Sequence, residues 1–478
     1  MHHALQQVTV TKLTSNALMS LCSPETKHSD LFNALFENVA DAPWSLLLDT
    51  SGSKQSDGRY NIMAYSPALV IEALNGNVTL HNTAEGSTCI IQEAPFEAAE
   101  KYLHEKIKGI SLNSEVDVSH LPFIVGIAGM AGYDTGRFYE ALPSTAQSDY
   151  TSPDFSVGLY LYSLVEDTQT GEFYYCACDG STFPSFTSEN KNRNNASPFC
   201  LTSSFSSNLT KTQYKQSLDK INRYLTAGDC YQVNMAQRFS AHFEGSLWKA
   251  YQELRLQNCA PFSAYFNSSK GSIASISPER FLRVKDGIVE TKPIKGTRPR
   301  FDDIHEDRRS AEHLMNAEKD RAENLMIVDL LRNDISKHCK PHSVNVPALF
   351  ALESYQAVHH LVSTVVGELN NTDSPLTLLK SAFPGGSITG APKIRAMEVI
   401  DELEPHRRHI YCGSIFYMGF REDMDSSICI RTLLGEDKTL YCWAGGGIVL
   451  DSVADDEYQE TLDKVSKIIP VLEHFGKA

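Results

Sequence analysis

Lys295 stands between Ile294 and Gly296 at the end of a β-prone stretch that begins at Ile288. A lysine so placed has two readings. Its ammonium can snorkel from a strand end to water. Alternatively it points into a shaped space, because Gly296 lets backbone or ligand come close. There desolvation makes it shed its proton more readily, and a neutral amine is a nucleophile. Acidic residues offer a second chemistry. Asp320 and Glu323 lie three apart in a predicted helix, as do Glu457 and Glu460 in another. Positions i and i+3 share a helix face. Each pair is either a solvated face or a set of carboxylates for a hard cation. Magnesium suits the second case, since it takes a few carboxylates and keeps several waters.

Anion-binding groups form a third set. Arg431 follows the strand-like Ser427-Ile428-Cys429-Ile430, and a guanidinium holds a carboxylate through two parallel hydrogen bonds. Gly445-Gly446-Gly447 lets backbone N–H groups approach an anion. Gly385-Gly386-Ser387 precedes a helix predicted from Pro392, and helix N-termini favour negative charge. Taken alone, each glycine cluster also reads as a tight turn or bulge.

The elements that must position these groups are mixed α and β. Before residue 180, strands dominate, at 44–48, 79–81 and 157–162. Residues 180–212 are rich in Ser, Thr and Asn and read as a loop or linker. After them come longer helices. One spans 214–225 and stops at Ala227-Gly228. A single long helix is expected over 306–332, with Leu314, Leu325, Ile327, Val328 and Leu331 as apolar positions among charges. Another runs over 392–403 with Pro392 near its first turn. The last covers 454–472, interrupted at Pro470. The expected division is a β-rich part at 1–180, a linker at 181–212 and a catalytic part at 213–478.

Bulk properties narrow the function class. A chain of 478 residues can bury a large core. Its formal charge of −16 argues against general nucleic-acid binding and against docking on an anionic membrane. No apolar run approaches the roughly 20 residues of a membrane-spanning helix. The N-terminal segment lacks a basic start and an apolar signal core, so a cytoplasmic setting is expected. The 11 cysteines are scattered without zinc-site spacing and read as reduced, mostly apolar thiols.

Several long motifs then occur in order. They are Ala227-Gly228-Asp229-Cys230-Tyr231-Gln232-Val233-Asn234, Ser277-Pro278-Glu279-Arg280-Phe281, the lysine motif, 320–330, 383–393, 444–449 and 458–461. Together they resemble the chorismate-utilising enzymes, and among them component I of aminodeoxychorismate synthases, over most of the chain. Ordered motifs of this length are far more specific than a lone glycine signature. The resemblance implies an α+β fold, two β-sheets sandwiched with helices outside and with the N- and C-terminal parts interleaved. It implies that Glu323 and Glu460 reach Mg²⁺, with Asp320 and Glu457 beside them. It places His360, Thr297, Ser387, Arg431 and Gly445, Gly446 and Gly447 around chorismate.

The implied chemistry is covalent. Lys295 adds to C2 of chorismate, the C4 hydroxyl leaves, and ammonia attacks C4 to give 4-amino-4-deoxychorismate, on the way to para-aminobenzoate and folate. Glu279 matches the proton donor. Its alternative is an ion pair with Arg280, but neighbours on a strand point to opposite faces. Anthranilate synthases resemble the chain too, but carry Ala at the position of Lys295. Water-using relatives carry Lys where Gln232 stands. No cysteine has the Gly-x-Cys-x-Gly flanks of a glutaminase, so the resemblance implies a separate glutamine amidotransferase subunit that supplies the ammonia. It also implies an L-tryptophan pocket from Thr50, Asp57, Gly58, Arg59, Tyr60, Pro261, Phe262 and Ser263. The alternatives are an anthranilate synthase component I or a catalytically silent, tryptophan-binding regulatory subunit.

Overall fold

A computed structural model of the chain describes residues 7–22, 25–52, 58–178, 198–355 and 358–475. Among these, the strands form two large, mostly antiparallel sheets of 14 and 12 strands, with helices packed around them. This is the expected α+β class. Each sheet runs across both halves of the chain. In the first sheet Phe262–Asn267 pairs with Leu46–Asp49. In the second, Ser414–Gly419 pairs with Gly126–Ala131.

Two apolar clusters hold these layers. One joins Val8, Ile62 and Val165 of the first sheet to Ile127, Val157 and Leu282 of the second. The other lies on the first sheet's outer face, where Leu47, Tyr265 and Leu433 meet Trp248, Tyr251 and Leu254 of the helix Leu247–Asn258. Leu46 and Leu47 fall in different clusters. That is the two-residue strand period with both faces buried.

Three expected elements are redrawn. The stretch 157–162 is not one strand. Phe155–Tyr160 belongs to the second sheet and Tyr162–Asp167 to the first, so the chain changes sheets at Leu161. The long helix at 306–332 is two helices, Ile304–Met315 and Glu318–Ser336. At the break, Asn316 bonds back to the Glu312 carbonyl through its side chain and leaves helical geometry. The C-terminal interruption lies before Pro470, which sits in the first turn of Ile469–Phe475, where its missing N–H costs nothing. The preceding helix is Ala454–Val465.

Other signals held. The helix Lys211–Ala227 starts with a Thr210–Gln213 capping box and ends at Gly228, φ 82°. Of the expected linker, 181–197 lies outside the described residues. Cys200–Leu201 and Ser206–Ser207 form short strands on the long strand Gln232–Glu244. No helix among the described residues is long and apolar enough to cross a membrane.

Candidate active site

Lys295 lies on the strand Ile294–Pro299, and its pairing with Val358–Glu368 slips between Ile294 and Thr297. A bulge there re-aims the side chain between its neighbours. Gly296 makes the bulge possible in two ways. Its φ is 77°, and a Cβ there would lie 2.9 Å from the Asp320 carboxylate. The close approach anticipated at Gly296 is therefore made by Leu314 and Asp320. Beyond the bulge, Thr297 Oγ1 and His360 Nδ1 lie 2.9 Å apart on facing strands.

The helix Glu318–Ser336 packs against this strand and delivers both acids of the first pair to it. Glu323 Oε1 is 3.0 Å from Lys295 Nζ, and Asp320 Oδ2 is 3.2 Å from Arg298. The second acidic pair comes from the helix Ala454–Val465. A Cβ on Gly446 would lie 3.2 Å from Glu457 Oε2 and 3.4 Å from Glu460 Oε1, so both carboxylates sit over that glycine. Glu457 accepts from Ser452 Oγ at 2.6 Å. Glu460 is held by Lys464 at 2.6 Å, and the same ammonium donates to the Gly445 carbonyl at 2.7 Å. Lys464 escaped the sequence reading, although it stands one helical turn beyond Glu460 and so shares its face.

The glycine strand, Thr439–Ile448, pairs with Gln232–Glu244, placing Asn234 opposite Gly447 and Ala236 opposite Gly445. The Gln232 side chain lies against Gly447 where any Cβ would intrude. Gln232 Oε1 and Asn234 Oδ1 are buried without hydrogen-bond partners among the described residues. Ser387 is buried in the turn Gly386–Ile388. Arg431 adopts φ 52°, and its guanidinium makes no ion pair within the described residues. Glu279 precedes the strand Arg280–Lys285, and its carbonyl accepts from Ile428 N. Arg280 pairs with Asp425 at 2.9 and 3.0 Å, not with Glu279.

Electrostatics link these groups. Burial pushes the Glu279 pKa above the usual carboxylate range, against the pull of Lys295, Lys464 and Arg431. Burial alone would depress Lys295, but Glu323, Glu279 and Glu460 outweigh it and raise its pKa. The expected loosening of the Lys295 proton is therefore reversed: in this arrangement it is an ammonium held by Glu323. Burial and then Arg431 push His360 down to about 4, so its ring is neutral at pH 7.

The donor atoms fit a hard dication. They are carboxylate oxygens from two helices, with no thiolate among them. Among the described residues, no three metal-ligating side chains already surround one point. Glu323 and Glu460 each face a lysine instead.

The residues expected around tryptophan map to a different place. A cavity of about 310 Å³ is walled by Arg59, Tyr60, Pro261, Phe262 and Ser263, together with Asp49, Arg280 and Asp425. Thr50 and Gly58 are not on its wall, and Asp57 lies outside the described residues. Thr50 is buried beside Asp49, with its hydroxyl unpartnered among the described residues. Arg59 is paired with Asp167 at 2.7 Å, and the Arg280 guanidinium lies 5.0 Å from the Phe262 ring centre.

The fold agrees with the similarities of the chain. Residues 48–470 match the chorismate binding enzyme family, to which the chain belongs. Within it, the chain is 44% identical over 439 residues to aminodeoxychorismate synthase component 1 of Klebsiella aerogenes, covering 92% of this chain and 96% of that protein. Identity to the component 1 of Escherichia coli strain K12 is 42%, covering 92% and 95%. Among solved structures, anthranilate synthase component I from Streptococcus pneumoniae TIGR4 superposes with a TM-score of 0.72 at 30% identity, over 87% of this chain and 93% of that one.

Proposed function

We propose that the chain converts chorismate and ammonia into 4-amino-4-deoxychorismate, toward para-aminobenzoate and folate. The observation that carries this is Lys295 bound to Glu323, with Glu279 within electrostatic reach of both Lys295 and Arg431, whose guanidinium makes no ion pair among the described residues. Arg431, Ser387 and the glycine strand would hold the substrate carboxylates. Lys295 then attacks C2 as the C4–O bond breaks.

Attack needs a neutral amine, and departure of the hydroxyl needs an acid. One proton meets both needs. Lys295 and Glu279 are electrostatic neighbours, one holding a proton and the other's carboxylate favoured to take one by burial. Transfer from Lys295 to Glu279 leaves an amine nucleophile and a carboxylic acid. Glu279 delivers that proton to the departing hydroxyl, which leaves as water. Ammonia then forms the C4–N bond, and Lys295 leaves C2. His360, neutral and bonded to Thr297, borders the ring without adding charge.

Glu323 and Glu460 would hold Mg²⁺, with Asp320 and Glu457 beside them. Bound there, the ion would neutralise a substrate carboxylate and fix its position. The ammonia would come from a separate glutamine amidotransferase subunit, since no cysteine here has glutaminase flanks. We further propose that the 310 Å³ cavity accepts L-tryptophan, because it offers apolar walls and paired charges at once. The test is to incubate the purified chain with chorismate, Mg²⁺ and an ammonium salt. Aminodeoxychorismate is expected, and glutamine replaces ammonium when a glutaminase subunit is added. Anthranilate as the product would overturn the assignment.

A further inference from the structure

Arg408 is one of the largest fully buried side chains. It is bound to Glu404 at 2.6 and 3.0 Å, and the pair's other hydrogen bonds go to backbone atoms and not to Lys295, Glu279, Glu323 or Glu460. A buried ion pair is weak evidence for stability, because desolvation offsets the attraction. The remaining bonds of this pair point to a different role. Arg408 Nη1 donates to the carbonyl of Ile388 at 3.1 Å, and Nη2 to that of Asn234 at 2.8 Å. Glu404 Oε1 accepts from Ala236 N at 2.8 Å.

Ile388 belongs to the turn that carries Ser387. Asn234 and Ala236 are the register partners of Gly447 and Gly445. Asn234 N also bonds to Thr389 O at 2.8 Å, closing the same junction. One planar guanidinium thus spans the serine turn and the strand that backs the triple glycine. We propose that Arg408, clamped by Glu404, is a positioning residue that sets the distance between these two anion-binding elements. Substrate affinity then depends on a side chain that never touches the substrate. This rests on the reading that both elements hold a chorismate carboxylate.

Arg408→Lys keeps the charge and the partner, but a single ammonium cannot reproduce the fork across two carbonyls. Arg238→Lys is the matched control. Arg238 is also buried, lies on the same long strand and pairs with Asp149 at 2.8 and 2.9 Å, away from Ser387. Chorismate binding is measured by equilibrium dialysis, and turnover with ammonium and Mg²⁺. The expected result for Arg408→Lys is a Kd raised about tenfold, as misplacement of a binding element predicts, with kcat changed less than about threefold. Arg238→Lys should leave Kd unchanged. Wild-type affinity in Arg408→Lys overturns the proposal, and so does an equal loss in Arg238→Lys. If Arg408→Lys does not fold, Glu404→Gln, which retains an acceptor for Ala236 N, carries the same expectation and the same refutation. Failure of the wild-type chain to bind chorismate would instead refute the reading of the site.

Discussion

The candidate active site and the 310 Å³ cavity are both built from charged side chains, yet they use charge differently. In the cavity the charges are already matched: Arg59 with Asp167, Arg280 with Asp425. In the candidate active site they are provisional. Glu323 and Glu460 hold lysines, Arg431 holds no carboxylate among the described residues, and Glu279 is pushed up by burial. Matched charges shape a wall. Provisional charges can exchange partners when a substrate arrives, which is what differential binding requires.

The largest effect that tests this contrast is at Lys295. Lys295→Ala should lower aminodeoxychorismate formation by about 10³-fold or more, as loss of a nucleophile does. Mass spectrometry should find chorismate added at Lys295 and no adduct in the variant. Lys295→Arg should be inactive as well, because a guanidinium stays protonated. Wild-type rates in that variant would reduce the lysine to an electrostatic aid.

Next come Glu323→Ala and Glu460→Ala. Each should cost on the order of 100-fold in rate and alter the dependence on Mg²⁺, while circular dichroism stays native. Near-normal activity at low Mg²⁺ would remove the metal from this site.

In the cavity the expected effect is on stability instead. Arg59→Ala leaves the buried Asp167 unpaired and should cost about 1–3 kcal/mol, softened by the partial exposure of Arg59. A urea titration measures this, and kcat/KM should stay within about threefold. A large loss of activity there would erase the distinction between the two regions.

The smallest effects concern protonation, and two histidines separate by sign. Burial depresses His104, but Glu100 and Glu422 overcome it and push it up to about 9. Its stabilising effect is complete below the ordinary value of 6.5 and fades as pH rises through about 9. His360 sits at about 4, so its effect is complete above 6.5 and fades as pH falls toward 4. NMR titration of the two rings should show His104 still charged at pH 8 and His360 still neutral at pH 5. Coincident titration near 6.5 would refute both environments.

Much of this site was legible because its residues sit in motifs with fixed spacing. The resemblance carried by those motifs pointed to Lys295, the two acidic pairs and the glycine strand, and the structure places Lys295 on Glu323, and Glu457 and Glu460 over Gly446. The bonds they make were not legible. The Lys295 pKa is raised by the carboxylates of Glu323, Glu279 and Glu460 from three other segments, and no local window contains them. Lys464 lay within reach, four residues from Glu460, but the acidic spacing drew attention to i and i+3. Arg408 could not be found, since only Glu404 is near it in sequence and the two carbonyls it bridges are distant. In the fold, periodicity located most of the long helices after residue 210 but only a few of the strands. It missed the sheet change at Leu161 and the helix break at Asn316, where the deciding partner is a neighbouring strand in one case and a single side-chain amide in the other.

The seams between the halves of each sheet also matter while the chain is being made. The strand Gly126–Ala131 gains its neighbour Ser414–Gly419 only after roughly 290 more residues, tens of seconds at about 5–20 residues per second. Until then a nascent chain carries an open, apolar strand edge in the second sheet, and another at Leu46–Asp49 until Phe262–Asn267 emerges. Open edges of this kind recruit other strands. Protection of the growing polypeptide, as much as the stability of the finished protein, is therefore a condition for obtaining this enzyme in quantity.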